Sequence, residues 1–341
     1  MDTTAGKTAT GRVTIRDVAD RAGVSVATVS KVINDRYGVS SATFVKVQAV
    51  IDELGYESSL VARSLRNHRT NVVGVLVSDI EPFSAELIKG AARALRGTGY
   101  ELIVYSAGGK SSDHVGWEGR ALTRLGGTLI DGALLVTPTV VGRSFGAPVV
   151  AVDPHTGSDD VPTVDSDNRH GAQLATQYLL DLGHRRIGFV GGRAHLESAR
   201  LRELGFRQTM GSAGAAVDPA LVRNAEYEPD VARMAARELL DLDERPSAIF
   251  AANDLSAIAV MEEATARGLR VPEDLSVIGF DNIPESAMTT PALTTVHQPI
   301  QEMGERAVQI LVQLLAGKAP DAMHESLPTR LVVRGSCARP A

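Results

Sequence analysis

From Asn71 onward the chain alternates between short apolar runs and longer amphipathic stretches, and this alternation limits the fold more than any other feature. VVGVLV (72–77) is a continuous β-branched run, as expected of a strand buried on both faces. Residues 84–98 read as an amphipathic helix ending at Gly97 and Gly99, followed by the strand ELIVYS. A helical stretch at 112–127, strands DGALLVT (131–137) and PVVAVD (148–153), and a helix from Asn168 to Gly183 complete a first set. The alternation then restarts. RIGFVGG is a strand, 198–213 and 230–242 are helices, SAIFAAN is a strand, 254–268 a helix, LSVIGFD a strand, and 300–316 a helix closed by Gly317. Strand–helix alternation of this kind forms right-handed βαβ units around a parallel sheet. The fold class is therefore α/β, with two doubly wound halves of similar layout and a cleft between them.

The N-terminal segment follows a different period. In VTIRDVADRAGVSVATVSKVIN (13–34), Ile15, Val18, Ala19 and Ala22 fall at i, i+3, i+4 and i+7, one apolar helical stripe. Thr14 with Asp17 three residues on makes a capping box, and Gly23 supplies a tight turn. Ser25 caps a second helix whose inner face is Val29, Val32 and Ile33. Its other face carries Val26, Ala27, Thr28, Ser30, Lys31 and Asn34, a small and polar surface with one cation that can enter a DNA major groove. A third amphipathic helix, ATFVKVQAVIDELGY, places Phe44, Val47, Val50, Ile51 and Leu54 inward. An ordinary αα-hairpin packed on a core has the same pattern, so the charge distribution matters. Residues 1–70 hold 10 Lys/Arg against 7 Asp/Glu, a net +3. The remainder holds 25 against 34, a net −9. A basic head on an acidic body suits a protein whose head meets phosphate.

In order, TIRDVADRAGVSVATVSKVIN, then Val39-Ser40, ELGY, ARSL (62–65) and NVVGVLV resemble the N-terminus of the LacI/GalR family of bacterial transcriptional regulators. The resemblance continues to about Arg334. It implies a helix-turn-helix DNA-binding domain joined to a core similar to periplasmic sugar-binding proteins. The expected layout is a disordered tail (1–11), a DNA-binding domain (12–59), a hinge helix and linker (60–70) and an effector-binding and dimerisation domain (71–341). Within the last, one subdomain is expected at about 71–168 with 284–300 crossing back, the other at 169–283 with 301–341. In the family, the positions of Val26, Ala27 and Lys31 face base edges. Val26 and Ala27 offer apolar contact, for instance to a thymine methyl, and Lys31 reads a base or contacts phosphate. Many members carry Arg where Lys31 stands, and Lys lacks the bidentate fork. Thr14, Ser25, Thr28, Ser30 and Asn34 would cap or bind phosphate.

The resemblance also implies that the hinge (60–66) orders on operator, with the Leu65 pair wedged into the minor groove. Leu65 packing onto the core is the other reading. Here Ser58-Ser59-Leu60-Val61 replaces the usual residues before the hinge, leaving its start open.

Ligands of open α/β sheets bind beyond the carboxyl ends of strands. Arg202 opens a helix after a strand, Asn253 closes SAIFAAN, and Asp281 closes LSVIGFD. A guanidinium, an amide and a carboxylate make a hydrogen-bonding set for vicinal hydroxyls. The family's ligand-binding Arg, Asn and Asp fall on these three residues. Asp254 reads as the cap of the helix that follows. Weaker candidates are Asp79, Phe83, Asp153 and Tyr227, the two rings being suited to a sugar face. Gly191-Gly192 lacks the spacing of a nucleotide-phosphate loop.

One cysteine, Cys337, excludes an intrachain disulfide framework and a Cys-based metal site. The eight His form no HxxxH or HExxH pair, and no cofactor is expected. The absence of an apolar leader or a membrane-length run reads as a cytoplasmic protein. No leucine heptads follow Arg334, which gives no support for a coiled-coil tetramer. The expected protein is a homodimeric repressor released from palindromic operator DNA by a sugar or oligosaccharide. The alternatives are a corepressor-dependent regulator binding a nucleobase or other metabolite, and a solute-binding protein without a DNA role. No nucleophile–base pair marks an enzyme.

Overall fold

The computed structural model describes residues 13–33, 37–56, 69–108, 115–140, 146–155, 161–215 and 217–340. The expected tail (1–11), Asn34, and the hinge segment 60–66 with Leu65 lie outside the described residues. The chain divides into two compact units, Met1–Thr70 and Asn71–Ala341.

The first unit has three described helices, α1 (Ile15–Ala22), α2 (Val26–Ile33) and α3 (Ser41–Leu54). The Thr14–Asp17 box forms. The Thr14 hydroxyl accepts from the Asp17 amide at 3.4 Å, and the Asp17 carboxylate accepts from the Thr14 amide at 2.7 Å. Gly23 ends α1 in the left-handed region at φ +64°. Val18, Ala19, Ala22, Val29, Val32, Val47 and Val50 form the core. Phe44, expected to face inward, is 36% exposed. The stripe that α3 turns to the core starts at Val47, one turn later.

The second unit holds two six-stranded sheets. The first draws on β1 (Val72–Val77), β2 (Glu101–Ser106), β3 (Gly132–Val136), β4 (Val149–Val152) and β5 (Thr163–Ser166). The second draws on β6 (Ile187–Gly191), β7 (Val222–Asn224), β8 (Ala248–Ala251), β9 (Ser276–Asp281) and β10 (Thr294–His297). Two C-terminal strands complete them, β11 (His324–Leu327) and β12 (Arg330–Val332). The orders are β11-β5-β4-β3-β1-β2 and β12-β10-β9-β8-β6-β7. All ladders are parallel except β10–β12. Helices α4 (Pro82–Ala94) and α5 (Trp117–Leu125) belong to the first half. The second half carries α6 (Asn168–Asp181), α7 (Glu197–Ser212), α8 (Pro229–Leu240) and α9 (Asp254–Ala266).

The C-terminal exchange differs from the expected one in α10 and β11, which join the first half, while β12 stays with the second half as expected. The last helix, α10 (Ile300–Leu315), buries Ile300, Met303, Ala307, Val308 and Leu311 on the core of the first sheet, and β11 pairs with β5. Residues 284–297 stay with the second half, because β10 pairs with β9. The apolar stripe of α10 seats on α4, where a Cβ on Gly90 would lie 1.9 Å from the Gln301 carbonyl oxygen and one on Gly304 2.3 Å from that of Leu87. Only glycine allows that approach. The chain thus crosses between halves three times, at 166–168, 297–300 and 327–330.

Candidate functional site

A cavity of about 210 Å³ lies at the carboxyl ends of β1, β4, β6, β8 and β9. It is lined by all seven residues singled out as effector contacts: Asp79, Phe83, Asp153, Arg202, Tyr227, Asn253 and Asp281. The strand ends bend sharply to aim them. Seven non-glycine residues among those described have positive φ, and four of these line the cavity: Thr137 (+46°), Asp153 (+48°), Tyr227 (+62°) and Asp281 (+116°). Strained backbone of this kind is held only where surrounding structure over-determines it, and it concentrates at functional sites.

Arg202 is the buried centre, 3% exposed. Its Nε donates to Asn168 Oδ1 at 2.8 Å, and Nη1 donates to the Ala252 carbonyl and to Asp281 Oδ1 at 3.2 Å. The guanidinium stacks 3.9 Å from the Phe280 ring centre and 5.8 Å from that of Tyr227. Asp281 also accepts from Gln298 Nε2 at 2.6 Å. Burial lifts its carboxyl to about 7 despite the pull of Arg202. Asp153 is lifted to about 6 for the same reason, against the same arginine.

Asn253, not Asp254, caps α9. Its Oδ1 accepts from the Ser256 amide at 3.0 Å, which leaves its NH2 donors outside the cap. Asp254 turns away and accepts from the Thr295 hydroxyl and, at 2.9 Å, from the Ile283 amide, tying α9 to β10 and to the segment after β9. The cap therefore sits one residue earlier than expected, because Asn253 keeps the extended backbone that a cap requires, at φ −149° and ψ 166°.

Asp79 is exposed and turns back to its neighbour, accepting from the Ile80 amide at 2.7 Å. Phe83 is half-buried against the first core. The Tyr227 hydroxyl is buried without a hydrogen bond, and burial pushes it up to about 12. Its ring packs over Gly192, where a Cβ would lie 2.0 Å from Tyr227 Cζ. Gly192 thus makes room for a ring.

Glu81, Arg193, Ser198 and Glu228 also line the cavity, and the strand-end reading did not reach them. Ser198 sits one helical turn before Arg202, a signal that spacing alone could have given. Glu81 and Glu228 each precede a helix that begins with Pro, at Pro82 and Pro229. That position marks a helix entrance facing the cavity.

On the first unit, α2 leaves Val26 40% exposed, and Ala27, Lys31 and Ser25 are exposed. Thr28 and Ser30 are half-buried. Ser25 Oγ accepts from the Thr28 amide at 3.1 Å and lies 2.9 Å from Thr28 Oγ1, so both hydroxyls serve the helix start. Thr14 is committed to the α1 cap.

A three-helix head with an exposed second-helix face, on a chain whose other unit is a two-sheet ligand-binding body, defines a ligand-responsive transcriptional regulator. Residues 14–59 match the bacterial regulatory proteins of the lacI family, and residues 176–337 match a periplasmic binding protein-like domain. The ribose operon repressor of Escherichia coli (strain K12) is 36% identical over 333 residues, covering 95% of this chain and 99% of that protein. A structure of a transcriptional regulator CelR–cellobiose complex is 34% identical with a TM-score of 0.71, over 95% of this chain and 100% of that one. A lac repressor dimer bound to operator and the anti-inducer ONPF is 27% identical with a TM-score of 0.81, over 96% and 100%. The chain belongs to the lacI family of transcriptional repressors. Among its described residues no helix is long and apolar enough to cross a membrane.

Proposed function

We propose that this chain is a dimeric repressor that leaves a pseudo-palindromic operator when a small sugar enters the cavity between its two α/β halves. The carrying observation is the convergence of Arg202, Asn253 and Asp281 on one cavity walled by the rings of Phe83 and Tyr227. A guanidinium and an amide donate, a carboxylate accepts, and rings cover an apolar face, which together suit a polyhydroxylated ring. The buried, unpartnered Tyr227 hydroxyl is a further group that a ligand hydroxyl would satisfy. Pockets for drug-sized ligands run to roughly 300–1,000 Å³. A cavity of about 210 Å³ therefore suits one ring better than a chain of them. Two relatives support a sugar by name, a ribose operon repressor and a regulator in complex with the disaccharide cellobiose, and the first agrees with a single ring.

In this reading α2 enters the major groove, with Val26 and Ala27 against bases and Lys31 against a base or a phosphate. Ser30 and Asn34 fix register on phosphates, Thr14, Ser25 and Thr28 hold the helix starts, and the Leu65 pair of the dimer wedges the minor groove. The protein acts where the chromosome is, in the cytoplasm. Effector binding favours one arrangement of the two halves, and only the difference in affinity between arrangements can shift operator binding, typically by about 1–3 kcal/mol.

A thermal-shift screen against monosaccharides, disaccharides and purines tests this. A ligand that binds only the folded state raises the melting temperature. A monosaccharide hit supports the reading. Hits confined to purines would replace it with a corepressor mechanism.

A further inference from the structure

The charges around the cavity are unequal. Five carboxylates line it, Asp79, Glu81, Asp153, Glu228 and Asp281, against two cations, Arg193 and Arg202. Each arginine is already matched within its own half. Arg202 bonds to Asp281 at 3.2 Å, and Arg193 Nη2 lies 3.6 Å from Glu228. The other three carboxylates all come from the first half, so one wall is acidic.

One usual place for an anion on such folds, beside the acidic wall, is also taken. The N-terminus of a helix binds phosphate or carboxylate through its free amides and its dipole. The start of α4 faces this cavity, but Glu81 fills it. Glu81 Oε2 accepts from the Phe83 amide and Oε1 from the Ser84 amide, both at 2.9 Å. Ser84 Oγ completes the box by accepting from the Glu81 amide at 2.9 Å. At α9 the corresponding amide is held by Asn253. At α4 the chain thus carries its own anion where an anionic ligand would dock, whereas the starts of α7 and α8, also at the cavity, have no side-chain cap.

We infer that the effector is an uncharged or amine-bearing polyol, that phosphorylated and acidic sugars are rejected, and that Glu81 sets this selection. The inference rests on the sugar reading for its ligand class. Its charge component stands on the cavity alone. A phosphate placed beside the first half would meet Asp79, Glu81 and Asp153 with no unmatched cation among the lining residues. An ammonium or a hydroxyl would find three acceptors. Burial already raises the carboxyls of Glu81 and Asp153 above their ordinary range, so the site resists further negative charge.

The test uses the full-length protein and two arms. In the first, calorimetric titration compares inorganic phosphate with chloride at matched ionic strength, for the wild type and for Glu81→Gly. Glycine is tolerated as an N-cap and leaves the α4 amides open. The wild type is expected to bind no phosphate at the millimolar level, and Glu81→Gly to gain millimolar phosphate binding. Glu81→Gln, which keeps a capping oxygen without the charge, serves if the glycine variant fails to fold, and is expected to show a smaller gain. Phosphate binding by the wild type that is lost in Arg202→Lys would overturn the inference, and so would variants as inert as the wild type.

In the second arm, ribose is paired with ribose 5-phosphate, and glucose with glucose 6-phosphate, glucuronate and glucosamine. The neutral or amine-bearing partner is expected to bind at least tenfold more tightly than its anionic counterpart. The reverse order overturns the inference. Silence of every sugar would count against the sugar reading instead, and the phosphate arm would still decide the charge selection.

Discussion

Gln298 donates its side-chain amide to Asp281 at 2.6 Å, and its carbonyl oxygen accepts from the Ser166 hydroxyl at 2.6 Å. It is 1% exposed and sits where the chain passes from β10 to α10. Ser166 ends β5, at the first crossing between the halves. The third crossing is tied to the first as well, since Thr329 Oγ1 donates to the Asp167 carbonyl at 3.1 Å. A cavity carboxylate is thereby joined through one glutamine to the strands on which the halves would pivot.

Gln298→Ala should therefore separate effector binding from operator release. It removes a donor to Asp281 and an acceptor for Ser166, at a stability cost of about 1–3 kcal/mol. Effector affinity should change by less than about tenfold, while the effector-induced loss of operator affinity, typically about 5–150-fold, should largely vanish. Calorimetry with the effector and anisotropy with operator DNA measure the two. Unchanged release in this variant would remove Gln298 from the coupling.

The stabilising protonation of Asp281 and Asp153 should be lost as pH rises toward neutrality. Asp281 is raised from 3.8 to about 7 and Asp153 from 3.8 to about 6, so the folded chain holds these protons longer than the unfolded chain does. Their contribution is complete below the unfolded value and is lost as pH rises through the folded one. His155, His184 and His297 act oppositely, because burial keeps them neutral in the folded chain, and their effect fades about a unit above the unfolded value of 6.5. Comparison with Asp281→Asn, which keeps the histidines, isolates the Asp281 effect. Urea denaturation between pH 6.5 and 7.5 should show a more negative slope of stability against pH in the wild type than in Asp281→Asn. Equal slopes would contradict the assignment.

Gly192→Ala should displace the Tyr227 ring, since the new Cβ would fall 2.0 Å from Tyr227 Cζ. Overpacking of this kind costs about 1–3 kcal/mol. Effector binding should weaken at least tenfold, with operator affinity in the absence of effector unchanged. A variant that binds effector normally would show that the ring is not part of the ligand wall.

Lys31→Ala tests the other unit. Lys31 is exposed on α2 beside Val26 and Ala27. If it contacts a phosphate, the slope of log affinity against log salt should fall by about 1, with every DNA sequence weakened alike. If it reads a base, discrimination at one operator position should relax by about 1–3 kcal/mol with the slope kept. In both cases effector binding is unaltered, and unchanged operator affinity would exclude Lys31 as a DNA contact.

The cavity residues were legible because strand ends are legible. Each of Asp79, Asp153, Asn253 and Asp281 follows a β-branched or aromatic run, and parallel sheets carry all such ends to one edge. Glu81 and Ser198 were not, because their placement depends on how a helix starts. A glutamate before proline looks like any solvated acid until its carboxylate is seen on two amides. The allocation of α10 was hidden for another reason. An apolar stripe does not name the sheet it covers, and the close approach here needs glycine on both sides of a contact, Gly90 and Gly304, more than 200 residues apart. Strands β5, β7, β11 and β12 read TVDS, VRN, HESL and RLV, too short or too polar to announce themselves.

The most direct test of the whole account is operator affinity with and without a sugar that binds the cavity. DNA selected from a random pool by the purified protein supplies the operator, and fluorescence anisotropy reads the binding. The account predicts that a saturating neutral monosaccharide lowers operator affinity by about 5–150-fold, and that Asp281→Ala binds the operator normally but ignores the sugar. An operator affinity that the bound sugar leaves unchanged, or raises, would contradict it.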